Sequence, residues 1–180
     1  MRLWMVAVAG CTLVLAACVA ALAQQAPALA YDTDGKMLRP ADYRSWMYLT
    51  TGFDMAYVEG AAPSDHRFDN VFVNREAYDG FVKTGVWPDR TVMVLEIRKG
   101  GGDNPLNKRG VFQAGAPLGM EVHVKDAAKG GWSFYGFPAG AASASVTPKT
   151  ADCYACHEQH AAVDTTFVQF YPTLSAWMPK

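Results

Sequence analysis

Residues 91–99, "TVMVLEIRK", constrain this chain more than any other stretch. Side chains alternate across an extended strand. Thr91, Met93, Leu95, Ile97 and Lys99 therefore share one face, and Val92, Val94, Glu96 and Arg98 the other. A helix cannot host that many β-branched residues without loss, so the segment reads as a strand. Two more strands follow, "APLGMEVHVKD" and "WSFYGF", separated by the turn "AAKGG". A fourth, Val71–Val73, precedes a helix. Asn74 suits its N-cap, Ala77, Tyr78, Phe81 and Val82 recur at helical spacing, Gly85 ends it and Pro88 blocks its return. With 16 glycines and 10 prolines the chain cannot be mostly helix. The expected class is α+β, an antiparallel β-sheet with flanking helices.

Pro40 and Asp42 suit the first turn of a short helix, after which the chain turns β-rich around residues 46–51. The stretch "AAPSDHRFD" reads as a loop, "GGGDNPLNKRG" as a long turn and "PAGAASASVTPKT" as a link.

The N-terminus has its own logic. One positive charge, Arg2, precedes a long apolar run that ends in small residues, the pattern of a secretory signal over residues 1–23. Ala21-Leu22-Ala23 fits cleavage before Gln24, and Ala28-Leu29-Ala30 is a second candidate. A retained membrane anchor and a lipoprotein signal ending at Cys18 are the rival readings. Residues 24–39 read as a flexible leader, leaving 40–180 as the folded domain. The expected location is the periplasm. Cutting after Ala23 leaves 15 basic against 17 acidic residues. That balance points to no nucleic-acid partner and no anionic membrane surface.

Of the four cysteines, Cys11 and Cys18 fall in the signal, so the exported chain keeps Cys153 and Cys156. They lie in "ADCYACHEQH", with His157 directly after the second. Cys-x-x-Cys-His is the attachment pattern of a c-type haem. Two thiols add to the two vinyl groups, and the next histidine ligates the iron from beneath. A redox pair or half a zinc site are the alternatives. The first lacks its usual βαβ surroundings, and the second lacks a further cysteine pair, although His160 adds one donor. One such motif means one covalent haem. Only 23 residues follow His157, and Met178 is the one methionine among them. So late a motif suggests an iron left open on its far side.

The segments "NVFVNREAYDGFVKTGVWPDRTVMVLEIRK", "GMEVHVKDAAKGGWSFYGF" and "CYACHEQHAAVDTTFVQFYPTL" resemble the cytochrome P-460 family, which includes the β-type cytochromes c-prime. The likeness covers roughly residues 38–176. It implies one haem c bound by Cys153, Cys156 and His157, with His157 on the iron, and commonly a homodimer. Some members oxidise hydroxylamine and carry a lysine linked to the haem ring. Others lack the link and bind small gases such as nitric oxide at an apolar distal site. The lysine's position corresponds here to Leu95, and Lys99 lies about 13 Å further along the strand, at about 3.3 Å per residue. The resemblance therefore implies a gas-binding cytochrome with five-coordinate iron and Leu95 at the distal site. Hydroxylamine or nitric oxide oxidoreduction and periplasmic electron transfer with a redox partner protein are the other implied functions.

The remaining candidates carry milder expectations. His123 alternates with Glu121 and Lys125 and is expected to face solvent; His66 sits in a polar loop, His160 is expected at the surface or behind the iron ligand, and Arg44 is expected to be exposed, although the resemblance allows it to reach the distal pocket. Trp132, Phe134 and Tyr135 are expected in the core or around the haem, and Glu96 has no evident role.

Overall fold

The computed structural model describes residues 29–56, 59–60, 65–101, 106 and 108–178. The signal over 1–23 and its cleavage sites lie outside the described residues.

Five strands form one antiparallel sheet in the order β2-β3-β4-β5-β6. They are β2 (Met47–Phe53), β3 (Arg67–Val73), β4 (Val92–Gly101), β5 (Phe112–Asp126) and β6 (Gly131–Pro138). Spatial order follows chain order, so every connection is local. A short pair, β1 (Met37–Leu38) with β7 (Ser143–Ala144), lies apart. The long sequence-predicted strand is β4, and β3 starts four residues before Val71. Its added residues, Arg67 and Asp69, alternate with Phe68 and Asn70, a mixed pattern that masked the strand.

Both faces of the sheet are covered, which is why β4 is apolar on both sides. On one face Val71, Val73, Met93, Trp132 and Phe134 pack beneath helix α1 (Arg75–Thr84), Trp87 and the chain end at Val168, Tyr171 and Leu174. On the other, Val92, Val94, Met120, Val122, Tyr135 and Phe137 pack beneath Met37, Tyr43, Trp46 and Ala144.

Helix α1 ends as expected, with Gly85 in the left-handed region at φ 72° and its N–H bonded to the Phe81 carbonyl. Its N-terminus differs. Asn74 sits at the cap position but makes no capping bond; its Oδ1 accepts from the Val92 N–H at 2.8 Å instead. The side chain ties the helix start to β4, a long-range partner that local sequence does not reveal. The turn after Pro40 and Asp42 is a 3-10 helix, Tyr43–Ser45, with the Ser45 N–H donating to the Asp42 carbonyl.

The flexible leader needs correcting where it is described. Tyr31 bridges to Met37, Met37 pairs with Ala144, and Met37 is fully buried. The burial of Met37 acts together with backbone hydrogen bonds such as Leu38 N–H to the Ala30 carbonyl and Arg39 N–H to the Ala142 carbonyl to hold this segment. Glu96 also acquires a role. It is buried and accepts from the Tyr43 hydroxyl and the Arg44 guanidinium, with Arg98 at 3.3 Å. Burial alone would raise its carboxyl, but these donors outweigh it and hold the group below the ordinary range.

Candidate functional site

The cysteine motif forms helix α2 (Asp152–His160). Spacings of three and four residues put Cys153, Cys156 and His157 on one side of it. Neither thiol is bonded to the other or to anything else; Cys153 is exposed and Cys156 half-buried. α2 is held to the sheet by Tyr154. Its ring stacks on Phe134 with centroids 4.1 Å apart and planes 5° from parallel, and its oxygen accepts from the Phe134 N–H at 2.8 Å. Lys149 lies 4.5 Å above the same ring.

His157 has one defined polar partner, the Thr165 carbonyl, 2.8 Å from Nδ1. A carbonyl only accepts, so Nδ1 carries the proton and Nε2 is left with its lone pair. Burial favours the neutral ring, pushing its pKa below the usual value. Such an imidazole is prepared to ligate a metal through Nε2.

His157 borders a cavity between α2 and the sheet, walled also by Val71, Met93, Leu95, Phe167 and Tyr171. A second hollow shares four of those walls, Val71, Leu95, Phe167 and Tyr171, and opens past Met55 and Phe170. Counted to their open mouths, and so including space shared with solvent, they are about 450 and 500 Å³. Leu95 therefore lines the same space as His157.

The cavity is not wholly apolar, contrary to expectation. Glu121, directly across from Leu95 in the β4–β5 ladder, lines it too. Asp69, on the neighbouring strand and the same face, borders the second hollow. Burial, and for Glu121 the charge of Asp69, pushes both carboxyls above the usual carboxylate range.

His123 requires a second correction. It does not face solvent but lies at the site, stacked on Phe134 at 3.8 Å and edge-on to His157 at 5.0 Å. Burial, with His157 adding to it, pushes its pKa down to about 3, so it is neutral. Glu121, His123 and Lys125 make one strand face read as polar, and polar faces are usually wet. Here α2 and residues 163–171 partly cover His123 and Lys125, while Glu121 lines the cavity and stays exposed to solvent. Nothing local to β5 signals the cover, which comes from 30 and more residues downstream.

The other candidates fall where composition put them or on the far side of the sheet. Phe134 touches His157, with ring centroids 4.9 Å apart; Trp132 lies in the same cluster, and Tyr135 faces away. His160 is exposed. Arg44 pairs with Glu96 on the opposite face, and His66 with Asp54. Lys99 is paired with Asp65, outside the cavity. The Thr165 carbonyl escaped sequence reading because a backbone acceptor has no residue signature.

The residues present fit a haem on their own chemistry. Two unpaired thiols and a correctly protonated imidazole share one helix face beside an aromatic and aliphatic cavity. Among the described residues, no three His, Cys, Asp or Glu side chains are grouped to hold a bare metal ion. No curated protein was found to match the chain. The family described as Cytochrome P460 matches residues 40–168, more than half of the sequence and nearly all of the sheet, and includes the cysteine motif. The chain accordingly belongs to the cytochrome P460 family, and is a haem protein.

Proposed function

We propose that this is an exported c-type cytochrome with one haem joined through Cys153 and Cys156, carrying His157 on the iron and binding a small neutral ligand such as nitric oxide. When bound, the haem supplies an iron coordination position that a diatomic ligand can occupy. The observation that carries the reading is the placement of nitrogen and sulfur donors around the cavity. His157 presents Nε2. His123 lies edge-on beside it, and Met93 is His123's cross-strand partner on the sheet wall. His160 is exposed on the same helix, and Met178 packs in the core without lining the cavity. Val71 and Leu95 on the sheet wall are hydrocarbon, and the Phe167 ring lies against His157 with centroids 4.5 Å apart. They exclude water and give a neutral diatomic an apolar seat.

An optical spectrum of the purified holoprotein tests this. A five-coordinate high-spin haem is expected, with the reduced form taking up NO or CO directly. A six-coordinate low-spin resting spectrum overturns it and favours the electron-transfer reading.

A second reading, oxidation of hydroxylamine, draws on Glu121. A carboxyl on the cavity wall can take a proton from a substrate, which a passive gas binder has no need of. Mass spectrometry of the haem peptide together with a turnover assay decides it. A haem held by thioether bonds alone, with no oxidation of hydroxylamine, removes this alternative. Export, a homodimer and a redox partner complete the proposal. Residues 1–23 and the family resemblance support them, and N-terminal sequencing and sedimentation of the mature protein test the first two.

A further inference from the structure

The turn that holds His157 is built against its own backbone preferences. Asp164 and Thr165 both occupy the left-handed region, at φ 47° and 57°, between Val163 and Thr166, which bridge to each other. Two consecutive left-handed residues make a tight reversal usually filled by Asn or Gly. A β-branched threonine there is an outlier that surrounding contacts must enforce.

Those contacts come from two distant parts of the chain. The Trp87 indole N–H donates to the Thr166 hydroxyl at 2.8 Å, and that hydroxyl donates to the Val163 carbonyl at 2.6 Å. Trp87 and Thr166 are both buried. Lys125 Nζ reaches the Trp87 carbonyl and the Asp164 carboxylate, each at 2.6 Å. The product of this arrangement is one carbonyl, that of Thr165, aimed at His157 Nδ1.

We infer that Lys125, Asp164, Trp87 and Thr166 are positioning residues for the iron ligand: they clamp a strained turn whose carbonyl fixes the His157 tautomer and ring orientation and raises the donor strength of Nε2. The inference rests on the haem reading above. The physical basis is that a hydrogen bond to the far nitrogen of a ligating imidazole pushes electron density onto the ligating one. A carbonyl delivered by an ordinary flexible loop would hold neither distance nor angle. The Lys125–Asp164 pair keeps Asp164, and with it the turn, against β5.

Resonance Raman spectroscopy of the reduced holoprotein reads the iron–histidine stretch directly. In Lys125→Met and Asp164→Asn the band is expected to shift to lower frequency and broaden. Asparagine tolerates the left-handed conformation, so the second variant removes charge while sparing the backbone. Lys125→Arg keeps the cation and is expected to return the band toward the wild-type position. An unchanged band in both charge-removing variants, with only a lower melting temperature, overturns the inference and leaves the clamp as scaffolding. A wild-type protein that emerges colourless from cells with working haem maturation refutes the haem reading itself, an outcome distinct from the first because it appears before any variant is made.

Discussion

Glu121 is the residue at which the cavity's chemistry is decided. Its neighbours Val71, Met93 and Leu95 are hydrocarbon or thioether, so its charge is screened only from the side that stays exposed to solvent. Its carboxyl is already raised by burial and by Asp69, partly offset by Arg67. The folded protein thus holds a proton at a pH where the unfolded chain has released it. Between the ordinary glutamate value and the raised one the native state binds more protons, so stability falls as pH rises through that window. Glu121→Gln removes the titration. Its melting temperature is expected to match wild type in acid and exceed it near neutrality, with the ionised carboxylate no longer penalised. The same substitution removes a negative charge facing ligands, so azide and cyanide should bind the oxidised protein more tightly, by a factor that shrinks as salt is raised because the residue is exposed. A variant with wild-type anion affinity and an unaltered pH profile would show that solvent at this exposed residue screens its charge from the cavity. Little of this was legible in "GMEVHVKD", where Glu121, His123 and Lys125 look like one wet face; Glu121 is indeed exposed, but only the cover laid over His123 and Lys125 by the end of the chain reveals that the face borders a cavity.

At the scale of elements, the parts that sequence reveals are those governed by near neighbours. The alternation in β4, the hairpin from β5 to β6 and the end of α1 at Gly85 each depend on residues within a few positions. The parts it hides depend on partners far along the chain. Asn74 bonds Val92, Met37 pairs with Ala144, and Tyr43 reaches Glu96. The motif helix is a mixed case: the three candidate haem-binding residues are plain in sequence, whereas the Thr165 carbonyl behind His157 is not. Helix α1 illustrates the limit well. Gly80 sits mid-helix, where propensity favours alanine by about 1 kcal/mol. Yet a Cβ there would lie 2.9 Å from Pro88 Cγ, a ring that cannot swing aside. Gly80 is the close-approach point of α1 and the Trp87-Pro88 turn. Gly80→Ala is therefore expected to destabilise by about 1–2 kcal/mol despite its better propensity, as overpacking does. Chemical denaturation checks this, and a stabilised variant would show that the turn can yield. Because Trp87 belongs to the clamp on residues 163–166, the same variant should also disturb the iron–histidine band.

The whole molecule is a sheet with two unequal sides. The side carrying Met120, Val122, Tyr135 and Phe137 is closed by Met37, Tyr43 and Trp46, all buried, and owes nothing to a cofactor. The other side holds the cavity, and α2 covers it with no residue of its own buried below the surface. α2 is docked chiefly through the Tyr154–Phe134 stack and the His157–Thr165 bond. A haem filling that space would add apolar contact to this side alone, at roughly 25 cal/mol per Å² of surface removed from water. Stability should therefore be uneven once the haem is withheld. In apoprotein made without haem maturation, amides of α2 and of residues 161–178 are expected to exchange with solvent far faster than in the holoprotein. The paired amides of β4 and β5 should remain protected, because their ladder joins strands gripped from the second side. Hydrogen exchange read by mass spectrometry separates the two regions. Equal loss of protection in both would mean that the sheet itself is organised by the haem and that the second core cannot hold it. Equal retention would mean that α2 and the chain end fold onto the sheet without help, and that the cofactor enters a finished site.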